Sequence, residues 1–324
     1  MLTRVIVKVI LTIIFVKSQG HMSIQSFITN LVLRHQFKRQ GRGPLNVQKA
    51  RHMVSKMAKR YPPPPKSITH TPVPPQAQHQ LCAAEWLSVA HPKHTVLYFH
   101  GGGYFFCGLD THRPTCAYLA RTAQARVLSV DYRMAPEHVF PAAVDDAVAW
   151  WQELLRQGTD PKTVVFAGDS AGGGLALACM VAARDQGLPL PAGAILFSPW
   201  SDLSCSGETM KTLADADVMF NPESLPEAAA LYLAGKPTTT PLASPLFANL
   251  KGLPSLMIHA SRHEILLADS TRLHERAMAQ GVTSEIHLRA KMPHVWPTML
   301  MLPEARQTLK ECGEFIARVA RSAR

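Results

Sequence analysis

Between residues 95 and 290, short apolar runs alternate with longer stretches in which apolar positions recur every third or fourth residue. The first kind reads as strand and the second as amphipathic helix. Strand-like runs fall at Thr95–Phe99, Arg126–Val130, Thr163–Ala167, Ala194–Phe197, Ser255–His259 and Ser284–Leu288. Helical patterns such as Ala143–Gln157 and Ala171–Gln186 lie between most of them. This alternation predicts an α/β fold with a mostly parallel central sheet flanked by helices. Residues 205–245 break the rhythm with a helical patch rich in Met, Pro and Ala, and read as an insertion.

Two helical stripes precede this domain. Ile24, Phe27, Ile28 and Leu31 recur at helical spacing, followed by Arg34, Lys38 and Arg39, cations that suit the negative end of a helix dipole. Ala50, Met53, Val54 and Met57 form a second stripe after Asn46, and the tract Pro62–Pro65 ends it. A lid or packing element is the expectation for these helices, with a place on a membrane as the alternative. The proline-rich stretch 61–75 is the one compositionally biased segment, and no internal repeat is visible.

Residues 1–20 start with charge and continue with an apolar stretch that Lys8 interrupts. No small-residue cleavage site follows, and the stretch is short for a membrane span. A leader or extension ending near His21-Met22 and a membrane anchor both remain open. Composition narrows the rest. With 324 residues, 47% apolar and 18% charged, the chain is an ordinary globule able to bury a large core. Its six cysteines are scattered, with no C-x-x-C pair. They give no zinc or disulfide framework and suit free thiols in a reducing, cytoplasmic compartment, unless residues 1–20 direct the chain to a membrane or out of the cell. The net charge of +11 is local: residues 1–84 hold 13 Lys/Arg and no Asp or Glu, so the remainder is nearly neutral. A nucleic-acid-binding domain should carry its positive charge on the folded face itself, so no nucleic acid is expected. Membrane contact is confined to residues 1–40, and a homodimer remains open.

The candidate chemistry lies at strand ends. "GDSAGG", Gly168 to Gly173, sits between the strand "TVVFA" and the helix "GLALACMVAA" and fits G-x-S-x-G in a strand–turn–helix. Ser170 is the nucleophile this turn would expose. Serine needs a base, and the base an orienting acid. The loop after "SLMIHA" offers Glu264 and Asp269, and the loop after "SEIHLRA" offers His294. "HGGGYFFCG", His100 to Gly108, follows the strand "TVLYF". Glycines there admit a substrate oxygen close to backbone N–H groups, as an oxyanion hole requires.

These motifs, together with "DYRMAPEHVFPAAVDDA", "SPWSDLS", "LASPLFANLKGLPSLMIHAS" and "MPHVWP", resemble the hormone-sensitive-lipase-like group of α/β-hydrolase carboxylesterases over roughly residues 80–315. The resemblance implies the α/β-hydrolase fold with a helical cap, Ser170 as nucleophile, His294 as base, and N–H donors from Gly102, Gly103 and Ala171. It divides the chain into residues 1–21, N-terminal cap helices in 22–60, and a catalytic domain in 61–324 with a cap insertion at about 205–245. It implies hydrolysis of short-acyl carboxylic esters with no metal or cofactor. One departure from the family pattern stands out. "EILLAD" puts Glu264 where the first acid of Asp-Pro-Leu normally lies and Asp269 at the second place. Glu264, nearer the strand end, is the expected acid; Asp269 is expected to face outward or cap a helix. Arg133 and Glu137 either brace the site by charge pairing or serve packing alone. Asp169 is assigned no catalytic role. Tyr104, Phe105 and Phe106 either line the acyl pocket or belong to the core. The rival readings are a small-molecule receptor on the same fold, such as the plant gibberellin receptors, which lack a working histidine base, and a membrane-attached deacetylase.

Overall fold

The computed structural model describes residues 22–39 and 43–322; the readings that concern residues 1–21 lie outside them. Eight strands form one sheet in the order β1-β2-β4-β3-β5-β6-β7-β8. They span Thr69–Val73, Ala84–Ser88, His94–Phe99, Ala125–Val130, Val164–Asp169, Gly193–Phe197, Ser255–Ser261 and Ser284–Arg289, numbered β1 to β8. From β4 to β8 along the sheet every pairing is parallel, while β1 and β2 run antiparallel at one edge. All six expected strands are present within two residues at each end.

The first two strands escaped the sequence pattern for identifiable reasons. β1 contains Pro72, which an edge strand tolerates because one side of its backbone pairs with nothing. β2 carries Glu85, almost fully buried. Arg113 pairs with it at 2.8 Å and the His70 ring lies at hydrogen-bond distance, 2.8 Å, so a strand interior holds a carboxylate that hydrophobic patterning reads as a break.

Helices cover both faces. In chain order they are α1 (Ile24–Leu33), α2 (Val47–Ala58), α3 (Leu109–Thr122), α4 (Ala142–Arg156), α5 (Ala171–Asp185), α6 (Thr209–Thr212), α7 (Ser224–Leu233), α8 (Leu267–Ala279) and α9 (Pro303–Ser322). Alternation along the strands sends side chains to opposite faces. Leu97, Phe99 and Phe166 pack with α4, α5 and α8, whereas Val96, Tyr98, Val165 and Ala167 pack with α3 and α9. α5 is buried along almost its whole length, which explains why its sequence is apolar on every side.

The segments 22–58 and 205–245 touch each other. After α1 the chain continues as a π-helix, Arg34–Arg39. Arg34 donates to the carbonyl of Asp215 at 2.9 Å, Lys38 to that of Asp217 at 2.6 Å, and Asn221 to that of Lys38 at 3.0 Å. α2 is capped by the Asn46 side chain, as its position before the apolar stripe suggests. Arg51 of α2 donates to the carbonyls of Phe105 (2.8 Å) and Ala135 (2.9 Å) and pairs with Glu137 at 2.7 Å. Glu137 therefore ties α2 to the loop after β4, while Arg133 pairs with Asp146 at 2.9 Å. Among the described residues no helix is long and apolar enough to cross a membrane.

Candidate active site

The turn between β5 and α5 holds Ser170 at φ 53°, ψ −121°, a conformation that L side chains rarely adopt. Its amide donates to the carbonyl of Phe197 on β6 at 2.8 Å, and its carbonyl accepts from Gly174 and Trp200. The flanking glycines are required sterically. A Cβ on Gly168 would meet the Gly172 carbonyl, and one on Gly172 would run into the carbonyl oxygens of Phe99 and His100. Strand and helix can approach this closely only because both positions lack a side chain.

The glycine loop after β3 lies against the same turn. Gly102 has φ 110° and Gly103 φ 57°. A Cβ on Gly101 would strike the Asp169 carboxylate, and one on Gly102 the Phe106 carbonyl. Among the described residues, the amide N–H groups of Gly102, Gly103 and Ala171 donate to no acceptor within the protein. Three such donors beside the serine turn have the chemistry to stabilise a developing oxyanion. Their loop is held stiffly from below. Asp169 accepts from Tyr98 Oη at 2.8 Å and from the Gly101 amide at 3.1 Å, and pairs with His112 at 3.1 Å. Burial alone would raise the Asp169 carboxyl; the charge and hydrogen bond of His112 and the Tyr98 hydroxyl outweigh it and hold the group below its ordinary value. The His100 ring stacks on Tyr132 at 4.3 Å, and burial lowers that imidazole to about 4. Tyr104 belongs to the aromatic packing here, stacked at 3.9 Å on Tyr232 of α7.

Glu264 and His294 meet where the loops after β7 and β8 converge. His294 Nδ1 lies 3.4 Å from Glu264 Oε2, within ion-pair range but off the line of a hydrogen bond, and both groups are almost wholly buried. Among the described residues Nε2 of His294 has no hydrogen-bond partner, which leaves it open to a hydroxyl proton. Burial pushes the Glu264 carboxyl up; His294 and the Ser198 hydroxyl pull it back without cancelling the effect.

Asp269 lies elsewhere. It is 1% exposed at the start of α8, where its Oδ2 accepts the amides of Ser201 and Asp202, each at 2.9 Å. The expectation that it faces outward or caps a helix is corrected: it pins the loop after β6 from inside. Burial and the neighbouring Asp202 raise its carboxyl to about 8, so it holds its proton at neutral pH.

Three contributors were not visible in the sequence. Ser198, after β6, donates to Glu264 Oε2 at 2.8 Å and accepts from the amide of Val295 at 3.2 Å, bridging the acid and the residue after the histidine. Its place just past a strand end was the available signal. Asp217, buried in the insertion, accepts the amides of Ile265 (2.9 Å), Met219 (2.7 Å) and Phe220 (2.9 Å). Phe220 packs edge-on against the His294 ring at 4.9 Å. The insertion is thus wired to the acid loop at the residue beside Glu264. The third, His112, holds Asp169 and hence the glycine loop; one histidine inside a helical pattern carries no such message.

The sequence pattern of the alpha/beta hydrolase fold matches residues 96–298. An acetyl-hydrolase of Streptomyces hygroscopicus is 41% identical over 237 residues, 72% of this chain and 79% of that protein. An esterase of Acinetobacter venetianus is 36% identical over 225 residues, 68% of this chain and 73% of that protein. Among solved structures, an esterase/lipase from an uncultured bacterium superposes with a TM-score of 0.85 at 41% identity, covering 92% of this chain and 99% of its own. An esterase from the bacterial hormone-sensitive lipase family gives 0.85 at 37% identity, covering 93% and 99%.

Proposed function

The chain belongs to the alpha/beta hydrolase fold family, in its hormone-sensitive-lipase-like group, and is a carboxylic ester hydrolase; we propose that it cleaves short-acyl esters through an acyl-enzyme formed on Ser170. The observation that carries this reading is the pairing of Glu264 with His294 across the loops after β7 and β8. In the proposed reaction Ser170 Oγ attacks the ester carbonyl carbon and its proton passes to His294 Nε2. The tetrahedral oxyanion is met by the N–H groups of Gly102, Gly103 and Ala171. The intermediate collapses, the C–O bond to the alcohol breaks, and His294 returns the proton to the departing alkoxide. Water then attacks the acyl-serine with His294 as base, and the carboxylic acid is released. Glu264 orients the imidazole and offsets the imidazolium charge, a duty for which its burial makes it effective.

Acyl length follows from the cover over the site. Segments 22–58 and 205–245 form the lid in this reading, and an enclosed apolar pocket gains about 0.8 kcal/mol per buried methylene until the chain meets the wall. Acyl groups of short length should therefore be preferred over long ones. The relative named acetyl-hydrolase supports the short end of the range. A receptor on the same fold would have no use for a histidine held by a buried carboxylate. The test is hydrolysis of a chromogenic ester series by the natural chain and by Ser170→Ala. Turnover should rise and then fall with acyl length for the former and be lost in the latter. Near-normal turnover by the variant would overturn the assignment.

A further inference from the structure

α1 sits on the protein with its polar side inward. Ser23 donates to Glu304 through its amide (2.8 Å) and hydroxyl (3.0 Å), Ser26 donates to the same carboxylate at 2.9 Å, and Asn30 reaches the carbonyl of Lys291 at 2.9 Å. Ser26 is completely buried. On the other side of the helix, the stripe expected to pack against the protein is exposed instead. Phe27, Ile28 and Leu31 are 53%, 54% and 55% exposed, with Ile24 and Val32 beside them at 38% and 45%. Scattered exposed apolar side chains need no explanation, but five on one stripe of a ten-residue helix form a patch that water does not favour.

Charge indicates what covers the patch. Residues 22–60 contain nine Lys/Arg and no Asp or Glu. Arg34, at the end of the stripe, is exposed and donates to the main-chain carbonyl of Asp215. On α2, Lys49, Lys56, Lys59 and Arg60 are exposed around the half-exposed Met53 and Met57. The facing insertion carries five acids, of which Asp217 is buried and taken up by backbone amides and Glu227 is engaged with the amide of Leu45. An apolar stripe with bulky side chains, bordered by cations and free of acids, is the composition of a helix lying in the headgroup region of a bilayer.

We propose that the apolar face of α1 docks this esterase on an anionic lipid surface, with Phe27, Ile28 and Leu31 entering the headgroup boundary and the exposed cations Arg34, Lys49, Lys56, Lys59 and Arg60 facing lipid phosphates. The inference does not depend on the proposed acyl-enzyme chemistry. It is tested by co-sedimentation of the full chain with phosphatidylcholine vesicles, with and without phosphatidylglycerol. The full chain should bind the anionic vesicles about tenfold more tightly, an advantage that high salt removes. Replacing Phe27, Ile28 and Leu31 by Ser together should weaken that binding by roughly tenfold or more. The thermal midpoint and circular dichroism should be retained; Leu31→Ser alone, with a smaller loss, decides the matter should the triple variant unfold. The anionic preference should survive deletion of residues 1–21. The proposal is overturned if the full chain ignores anionic vesicles, or if the Ser variants bind as the natural chain does. It also falls if binding vanishes only with residues 1–21. A dimer that the triple variant splits, without vesicle binding, would equally overturn it by showing that a second copy covers the face.

Discussion

The serine turn and α1 both arise from short stretches with a strong local pattern, yet the pattern means different things in the two places. In the turn, Gly168 and Gly172 are fixed by contacts that any strand–helix crossing this tight must make, so local sequence and packing agree. In α1 the spacing of Ile24, Phe27, Ile28 and Leu31 correctly announces a helix but not the direction in which it faces. Hydrophobic periodicity reports that two faces differ. Which one meets the protein is settled by the partner, here the Glu304 carboxylate, which takes hydrogen bonds from Ser23 and Ser26.

The largest expected effect would break the comparison on the side of the turn. Ser170→Ala should lower kcat by three or more orders of magnitude while the protein stays folded, because the groups act as a unit. Steady-state ester hydrolysis with a thermal melt as control reads this out. His294→Ala should fall to the same level.

Next in size is the contrast between the two acids. Glu264→Ala should cost kcat on the order of a hundredfold or more, since this carboxylate pairs with His294. Asp269→Asn should remain within a few-fold at pH 7, because Asp269 is already protonated there. If the Asp269 variant is the inactive one, the assignment of Glu264 is wrong.

A smaller effect tests the junction between the insertion and the acid loop. Asp217→Asn removes charge and leaves one amide oxygen for three N–H donors, stranding at least part of the set. We expect kcat to drop about tenfold and stability by roughly 1–3 kcal/mol. Unchanged kinetics would show that the insertion does not position the acid. Arg51→Ala, which frees α2 from Phe105, Ala135 and Glu137, should cost only about 1 kcal/mol in denaturant unfolding, since the pair with Glu137 is exposed to solvent.

The finest prediction concerns pH. Asp269 has a folded-state value near 8, above the ordinary carboxylate value, so the folded protein holds a proton there that the unfolded chain releases. Stability from this group therefore falls as pH rises from about 4 to about 8 and is level above that. The thermal midpoint of Asp269→Asn, compared with that of the natural chain, should gain steadily between pH 5 and pH 8. A pH-independent difference would contradict a protonated Asp269.

Much of the site was legible because its chemistry is local in sequence. G-x-S-x-G, the glycine loop and the acid and base after successive strands each sit at the C-terminal end of a parallel strand, where short segments must place them. β2 was not legible, because its Glu85 is buried against Arg113 and His70, which come from other elements. The same holds for Ser198, Asp217 and His112, whose duties exist only between segments far apart in the chain.

The sequence by itself determined the alternation of strand and helix, the positions of Ser170 and His294 at strand ends, and the absence of side chains where backbones cross. These depend on period and on steric size, which are properties of a few neighbouring residues. The tertiary structure places Glu264 rather than Asp269 at His294, since both are acids in one short segment and only the convergence of the loops after β7 and β8 brings one of them there. It also decided which side of α1 faces out, because a helix buries whichever face finds partners, and Glu304 lies some 280 residues away in the chain.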